Sequence, residues 1–255
     1  MNMQMTLLKK NSRFLLKAFR KQTNGSNQNS ANSLIQTPTD TDMEEQRFFY
    51  IAFLLTPFGT GKIIRTVTGF PYNHTGISFS PEMKYFYSFA RYYKKAPFYA
   101  GFVKESVLRY NNNGKIAKIK VCAVPVSEEN YNNAKKHIED ITEHSEEYIY
   151  NLISVITFPF RKSVKIKKSY TCIEFVLSML RKFSELLEIK NEKFLSIKEF
   201  CEILEPYTVY EGSIEKFFDG ADWEGDPFTE EKSGAFLFKK TVSRNAKLIK
   251  RFIKK

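Results

Sequence analysis

Residues 47–55, RFFYIAFLL, form an unbroken run of apolar and aromatic side chains after Arg47. A run of this length and aromatic content is typical of a buried β-strand. It is much shorter than the roughly 18 to 20 apolar residues that a membrane-spanning helix needs, and no other run in the chain approaches that length. We therefore expect a globular domain whose sheet contains this strand.

The periodicity of the remaining segments mixes strands with helices. Strand-like segments are HTGISFS (74–80), YFYSFAR (85–91) and KIAKIKVCAVPV (115–126), the last alternating lysine with apolar residues as in a half-exposed strand. Helical patterns occupy residues 59–69 and 148–160, and a helix is also expected from Ser127. Two more are expected from Thr171 to about Ile189 and from Leu195, where Ser196 and Glu199 have the spacing of a capping box. These patterns predict an α+β fold in which a mostly antiparallel sheet packs against the helix that follows Thr171.

The two ends of the chain differ from its middle in charge. The first 39 residues and residues 239–255 contain no Asp or Glu. We predict a basic amphipathic segment at 1–22, a flexible linker at 23–46, a folded domain at 47–238 and a basic amphipathic tail at 239–255. An organelle-targeting sequence is the alternative interpretation of the first segment.

The balance of charge favours anionic partners. Forty Lys and Arg against 28 Asp and Glu give a formal net charge of +12. Because the basic residues share helical segments with bulky apolar ones, we favour peripheral contact with an anionic membrane over nucleic acid. Three cysteines cannot form a disulfide framework, which favours a reducing, cytoplasmic location.

Cys172 is the strongest candidate for chemistry. Thr171 and Glu174 have the spacing of a capping box, so Cys172 is predicted to be the first residue of a helix. The positive end of a helix dipole lowers the pKa of a thiol and favours the reactive thiolate. A buried cysteine that serves only packing is the alternative, and Cys122 and Cys201 are interpreted in that way.

A nucleophilic cysteine needs a base, and the chain has three histidines. His137 and His144 lie within a polar helical segment and are expected at the surface. His74 comes directly before an alternating strand, where its ring can lie at the end of a sheet. A histidine buried for structural reasons is the alternative at this position.

The order of these motifs resembles a known family. NHTGISFS, a second strand and then YTCIEFV are arranged as in the circularly permuted branch of the NlpC-type papain-like superfamily, to which lecithin:retinol acyltransferase-like proteins belong. The resemblance covers roughly residues 47–210. It implies that Cys172 is the nucleophile, that His74 is the general base, and that a third polar residue beside His74 orients the ring.

Ser88 occupies the place of that third residue, where related proteins often carry His, Glu, Asn or Gln. A serine hydroxyl supports an imidazolium less well than a carboxylate does. Tyr87 or a backbone carbonyl is the alternative for this role.

The combined expectation is a cysteine-dependent hydrolase or acyltransferase. It would act on an amide, ester or thioester of a lipid or a peptide through a thioacyl-enzyme. The alternative is a weakly active or non-catalytic protein of the same fold that binds a membrane surface or nucleic acid. We find no CxxC, HExxH or GxSxG motif and expect no metal or cofactor; the acidic segment 219–226 is interpreted as an exposed turn.

Overall fold

The computed structural model describes residues 46–56, 70–112, 115–186, 189, 194–224 and 226–254. Within these residues it contains ten strands and five α-helices, which confirms the predicted α+β class. The predicted segments at 1–22, 59–69 and most of 23–46 lie outside the described residues. Residues Gln46–Lys255 form one compact unit.

Eight of the strands form a single mixed sheet. Its order is β10-β7-β1-β2-β3-β4-β8-β9, and its pairs are antiparallel except for β8 with β9. β5 and β6 form a separate two-stranded ladder. The strands are β1 (Arg47–Leu55), β2 (His74–Ser78), β3 (Tyr85–Arg91), β4 (Ala100–Ser106), β5 (Asn111–Asn112), β6 (Lys115–Ile116), β7 (Lys118–Val126), β8 (Ile149–Tyr150), β9 (Ser169–Tyr170) and β10 (Thr208–Ser213).

The helices begin where the sequence places their caps. Ser127, Thr171 and Ser196 each accept a hydrogen bond from the backbone of the following turn, and the last two form capping boxes. The helices are α1 (Glu128–Glu143), α2 (Leu152–Thr157), α3 (Cys172–Phe183), α4 (Ile197–Ile203) and α5 (Gly234–Ile253).

Two of the predicted helices are shorter than expected. α3 ends at Phe183 because Ser184 turns into extended backbone. Ile149 and Tyr150, predicted to be helical, instead form β8 next to the edge strand β9, because pairing with β4 and β9 satisfies their backbone groups there. Tertiary pairing therefore overrides the local helical pattern at these positions.

The sheet is covered on both faces. The larger hydrophobic cluster packs α1, α3 and α4 against one face, and a second cluster that includes Leu54, Phe86 and Ile214 covers the other. The interpretation of residues 115–126 as a half-exposed strand is therefore wrong. Lys120 in β7 is buried and forms ion pairs with Glu205 and Glu211, which is how a buried strand accommodates a lysine.

The C-terminal helix docks onto the domain. α5 begins at Gly234, ahead of the predicted tail at residue 239, and buries Leu237, Arg244 and Leu248. A Cβ on Gly101 would lie 2.6 Å from Nη2 of Arg244, so this glycine makes room for the guanidinium against β4. No helix among the described residues is long and apolar enough to cross a membrane.

Candidate active site

The fold brings together two side chains that lie 98 positions apart. His74 is the first residue of β2, and Cys172 is the first residue of α3, directly after its N-cap Thr171. The Cys172 thiol lies close enough to the His74 ring to raise the pKa of that ring. The two residues that the sequence proposed as nucleophile and base therefore face each other.

Cys172 lies at the wall of a cavity of about 740 Å³. The residue is 9% exposed, and Asn73 and Tyr150 line the same cavity. As the first helical residue, Cys172 presents a backbone N–H that has no intrahelical carbonyl partner. The thiol thus combines a cavity, a helix N-terminus and a neighbouring imidazole.

Glu105 in β4, rather than Ser88, contacts the histidine ring. The Nε2 atom of His74 lies 2.7 Å from Oε1 of Glu105. Ser88 donates its hydroxyl hydrogen bond to that same carboxylate oxygen, so it reaches the ring only through Glu105. The expectation that Ser88 itself would orient the imidazole is corrected accordingly. Because Nε2 is bonded to Glu105, Nδ1 is the ring nitrogen that is available to the thiol.

Four side chains donate to the Glu105 carboxylate. His74 and Ser88 approach Oε1, while Arg109 Nη1 at 2.9 Å and the Tyr110 hydroxyl at 2.6 Å approach Oε2. Glu105 is fully buried. A carboxylate has about four lone-pair positions, so every acceptor position of this buried charge is used.

The ion-pair network continues beyond Glu105. The 3-10 helix Val107–Tyr110 follows β4 and turns Arg109 back over Glu105. The same guanidinium contacts both carboxylate oxygens of Asp226, which also accepts from the backbone N–H of Ser106 at 2.9 Å. Asp226 was predicted to lie in an exposed acidic turn, but it is buried. Arg109 is the reason, because it neutralises the buried carboxylate.

Charges of alternating sign set the protonation of the site. Burial alone lowers the pKa of His74, but the charge of Glu105, the interaction with Cys172 and the hydrogen bond that the ring donates to Glu105 outweigh it and raise that pKa to about 10. Burial alone raises the pKa of Glu105, but His74 and Arg109 outweigh it and lower the pKa to about 2. The ring is therefore an imidazolium and Glu105 a carboxylate at neutral pH.

The cavity beside Cys172 combines apolar walls with a basic margin. Its described lining includes one acidic residue, Glu174, which is part of the α3 capping box. The apolar lining includes Val155, Phe158, Ile166, Leu177, Phe194 and Leu195, and the basic lining consists of Lys162, Lys165, Lys167, Arg181 and Lys182. Such a lining suits a substrate with an apolar group and a negative or polar end.

The remaining histidines lie away from this site. His144 is exposed and contacts Asp140. His137 was expected at the surface but is half-buried, with its ring against Phe183. Burial and Lys182 lower the pKa of His137.

Sequence reasoning missed Glu105, Arg109, Tyr110, Tyr150 and Asp226. The available signal was a carboxylate two residues after the apolar run AGFV, followed four residues later by an arginine. No group of three or more metal-ligating side chains occurs in the described part of the chain. No family model, curated protein or solved structure matches this chain.

Proposed function

We propose that this protein is a cysteine-dependent hydrolase or acyltransferase with a circularly permuted, NlpC-type papain-like fold. One observation carries the proposal: the Cys172 thiol lies beside a histidine, whose pKa it raises, and the ring of that histidine is paired with a fully buried carboxylate. The order of histidine strand before cysteine helix supports the permuted arrangement. Glu105 supplies a carboxylate where the sequence offered only a serine, which removes the reason to expect weak activity.

In the first step, His74 holds the proton of the thiol. An imidazolium beside Cys172 stabilises the thiolate, which attacks the carbonyl carbon of an amide, ester or thioester. Glu105 keeps the ring oriented and compensates its charge throughout. A C–S bond forms, and the electron pair of the carbonyl moves onto its oxygen.

We assign the stabilisation of that oxyanion to two groups. The first is the backbone N–H of Cys172 at the start of α3. The second is the hydroxyl of Tyr150, which lines the cavity and interacts electrostatically with Cys172. Burial raises the pKa of Tyr150 well above its usual value, so the hydroxyl keeps the proton that it would donate.

In the second step, the tetrahedral species collapses to a thioacyl-enzyme. His74 gives its proton to the leaving amine, alcohol or thiol as the bond to that group breaks. An acceptor then attacks the thioester, and its proton passes to His74. The C–S bond breaks, which releases the acylated acceptor and regenerates the Cys172 thiolate. Water as acceptor makes the protein a hydrolase, whereas an amine or alcohol makes it an acyltransferase. The apolar and basic cavity lining favours an acyl group on a lipid or a peptide. The three free cysteines suit a reducing compartment.

The proposal is tested by trapping the acyl-enzyme. The full chain is mixed with p-nitrophenyl acetate and p-nitrophenyl octanoate, and p-nitrophenol release is followed together with the intact mass. The expected result is a burst of p-nitrophenol and a single acyl adduct on Cys172. Cys172→Ala should abolish both, since the attacking sulfur is gone.

The matched control is Cys201→Ala, which removes a buried thiol elsewhere in the same core. It should keep the burst and the adduct. An adduct of equal yield in Cys172→Ala protein, or none in wild-type protein that is folded by circular dichroism, would refute the proposal. Tyr150→Phe should slow the burst about 10- to 1000-fold if its hydroxyl stabilises the oxyanion.

A further inference from the structure

Helix α5 has a buried side that fixes it to the domain. Arg244 donates to the carbonyl oxygens of Ala100 at 3.3 Å and Tyr148 at 2.7 Å, and to Glu146 at 2.9 Å. Leu248 packs with Ile149 and Ile166. Because these contacts define which side of α5 faces the domain, they also define the side that does not.

The outward side carries an apolar stripe. Phe238, Val242, Ile249 and Ile253 are 72%, 50%, 53% and 76% exposed. At about 100° per residue they fall within an arc of about 60° on the helix. Phe98 extends this stripe, because its carbonyl accepts a hydrogen bond from Asn245 of α5 and its side chain is 59% exposed. Large apolar residues grouped in this way on a surface indicate a contact site.

A lysine stripe lies directly beside the apolar one. Its members occupy the next arc of about 100° around the helix axis. All of them are exposed, and α5 contains no Asp or Glu. The members are Lys239, Lys240, Lys247, Lys250 and Lys254. The outward side of α5 is thus amphipathic in its own right, in addition to the division between its buried and exposed sides.

We propose that this outward side binds the surface of an anionic membrane, with α5 lying in the plane of the interface. An apolar stripe flanked by lysines is the distribution that lets a helix bury side chains among acyl chains while its cations meet lipid phosphates. The lysines favour a membrane over a second copy of this chain, because they complement anionic headgroups and would repel the lysines of that copy. This proposal is independent of the proposed activity, since the outward side of α5 has no residue in common with the site formed by His74 and Cys172.

Vesicle sedimentation tests the proposal with the full chain. The vesicles are phosphatidylcholine alone or phosphatidylcholine with about 30% phosphatidylserine, a fraction that gives an anionic surface. Wild-type protein should sediment with the anionic vesicles and lose binding at high salt. The double variant Lys239→Gln with Lys250→Gln should bind about 25-fold more weakly, at about fivefold for each lysine.

The apolar stripe is tested by Phe238→Ser combined with Ile253→Ser. This variant should weaken binding at least about tenfold, because two exposed apolar side chains no longer enter the bilayer. Controls remove the same groups elsewhere: Lys135→Gln with Lys136→Gln on α1, and Ile156→Ser on α2, whose side chain is 72% exposed. The controls should bind as wild type does, and circular dichroism checks that each variant folds.

Several outcomes would overturn the proposal. In the vesicle assay they are unchanged binding by both α5 variants, equal losses of binding in the control variants, and equal binding of wild-type protein to neutral and anionic vesicles. In sedimentation velocity the contrary outcome is a dimer that Phe238→Ser with Ile253→Ser dissociates. Oligonucleotide binding that needs the lysines but not the apolar stripe, without vesicle binding, would also overturn it and assign the surface to nucleic acid.

Discussion

The three described cysteines are all buried, yet their surroundings differ. Cys172 lies at the start of α3 beside His74 and lines a cavity. Cys122 and Cys201 lie in the larger hydrophobic cluster, where burial raises the pKa of Cys122 to about 12 and that of Cys201 to about 11.

A second difference is the ion pair that accompanies each region. Beside Cys172, Glu105 and Arg109 are both fully enclosed, whereas Lys120, which influences the pKa of both other thiols, pairs with carboxylates of Glu205 and Glu211 that remain more than half exposed. Burial by itself therefore disfavours the ionised form of a thiol. Cys172 differs from the other two cysteines because it lies beside the His74 imidazolium.

The largest expected effect is on alkylation of the three thiols. A thiol with a pKa of about 11 is ionised to about one part in 10⁴ at pH 7. Iodoacetamide should therefore modify Cys172 at least about 1000-fold faster than Cys122 or Cys201. Peptide mass spectrometry of samples quenched over time gives the three rates. Equal rates would remove the distinction between the two regions.

His74→Asn should reduce the difference in alkylation rate between Cys172 and the other two cysteines. Without the imidazolium, Cys172 loses its thiolate stabilisation, and its alkylation rate at pH 7 should fall about 100-fold. His144→Asn, which alters an exposed ring, is the control and should leave the rate unchanged. The same rate in His74→Asn as in wild type would show that the helix terminus alone activates the thiol.

The two ion-pair regions should differ in stability. Glu105→Gln leaves Arg109 and His74 without their shared carboxylate in a fully enclosed site, so the free energy of unfolding should fall by about 3 to 5 kcal/mol. Glu211→Gln changes a carboxylate that is 55% exposed, and it should cost less than about 1 kcal/mol. Urea denaturation of both variants measures the contrast; similar losses would contradict it.

The pH dependence of stability should distinguish the contribution of His74 from that of the other titrating groups. The pKa of His74 is raised from 6.5 to about 10 in the folded protein, so its stabilising contribution is complete below pH 6.5 and is lost as the pH rises towards 10. Glu105 contributes fully above pH 4.5, and its contribution is lost as the pH falls towards 2. Urea denaturation between pH 6.5 and 10 should show a smaller decline in His74→Asn than in wild type. Parallel declines would contradict the assigned shift.

The smallest effects are expected from Ser88→Ala and Thr208→Val. Ser88→Ala acts on the Glu105 carboxylate. It removes one of four donors to Glu105 and should lower the free energy of unfolding by about 1 kcal/mol, with little change in Cys172 alkylation. Thr208→Val removes the hydroxyl that contacts Cys122 at 3.6 Å and should cost less, because that contact is with a weak sulfur partner. A large loss of alkylation in Ser88→Ala would instead give the serine a direct role.

Local signals in the sequence were sufficient for much of this arrangement. Capping boxes identified the starts of α3 and α4, and alternation identified β2 and β3, because each depends on residues only a few positions apart. The juxtaposition of His74 with Cys172 was predicted from a resemblance in motif order, and in the structure the two residues lie beside each other.

Non-local contacts account for what the sequence did not predict. Glu105 lies in a segment without a strong strand pattern, and Asp226 is enclosed only because Arg109, 117 positions earlier, reaches it. Lys120 shows the same limit: its alternation with apolar neighbours indicated an exposed face, whereas β10 and its neighbours bring two carboxylates to it. Such partners are set by topology, which no short pattern contains.

The docking of α5 against Gly101 has a consequence for how the end of the chain can be studied. Arg244 occupies a space that a single methyl group would fill, and it satisfies backbone oxygens from β4 and from the residue before β8. Deleting the last twenty residues would remove the donor to those oxygens and expose Ile149 of β8, which packs against Leu248. The segment predicted to be a tail is thus an integral part of the folded domain. Its role should be tested by single substitutions that keep α5 in place.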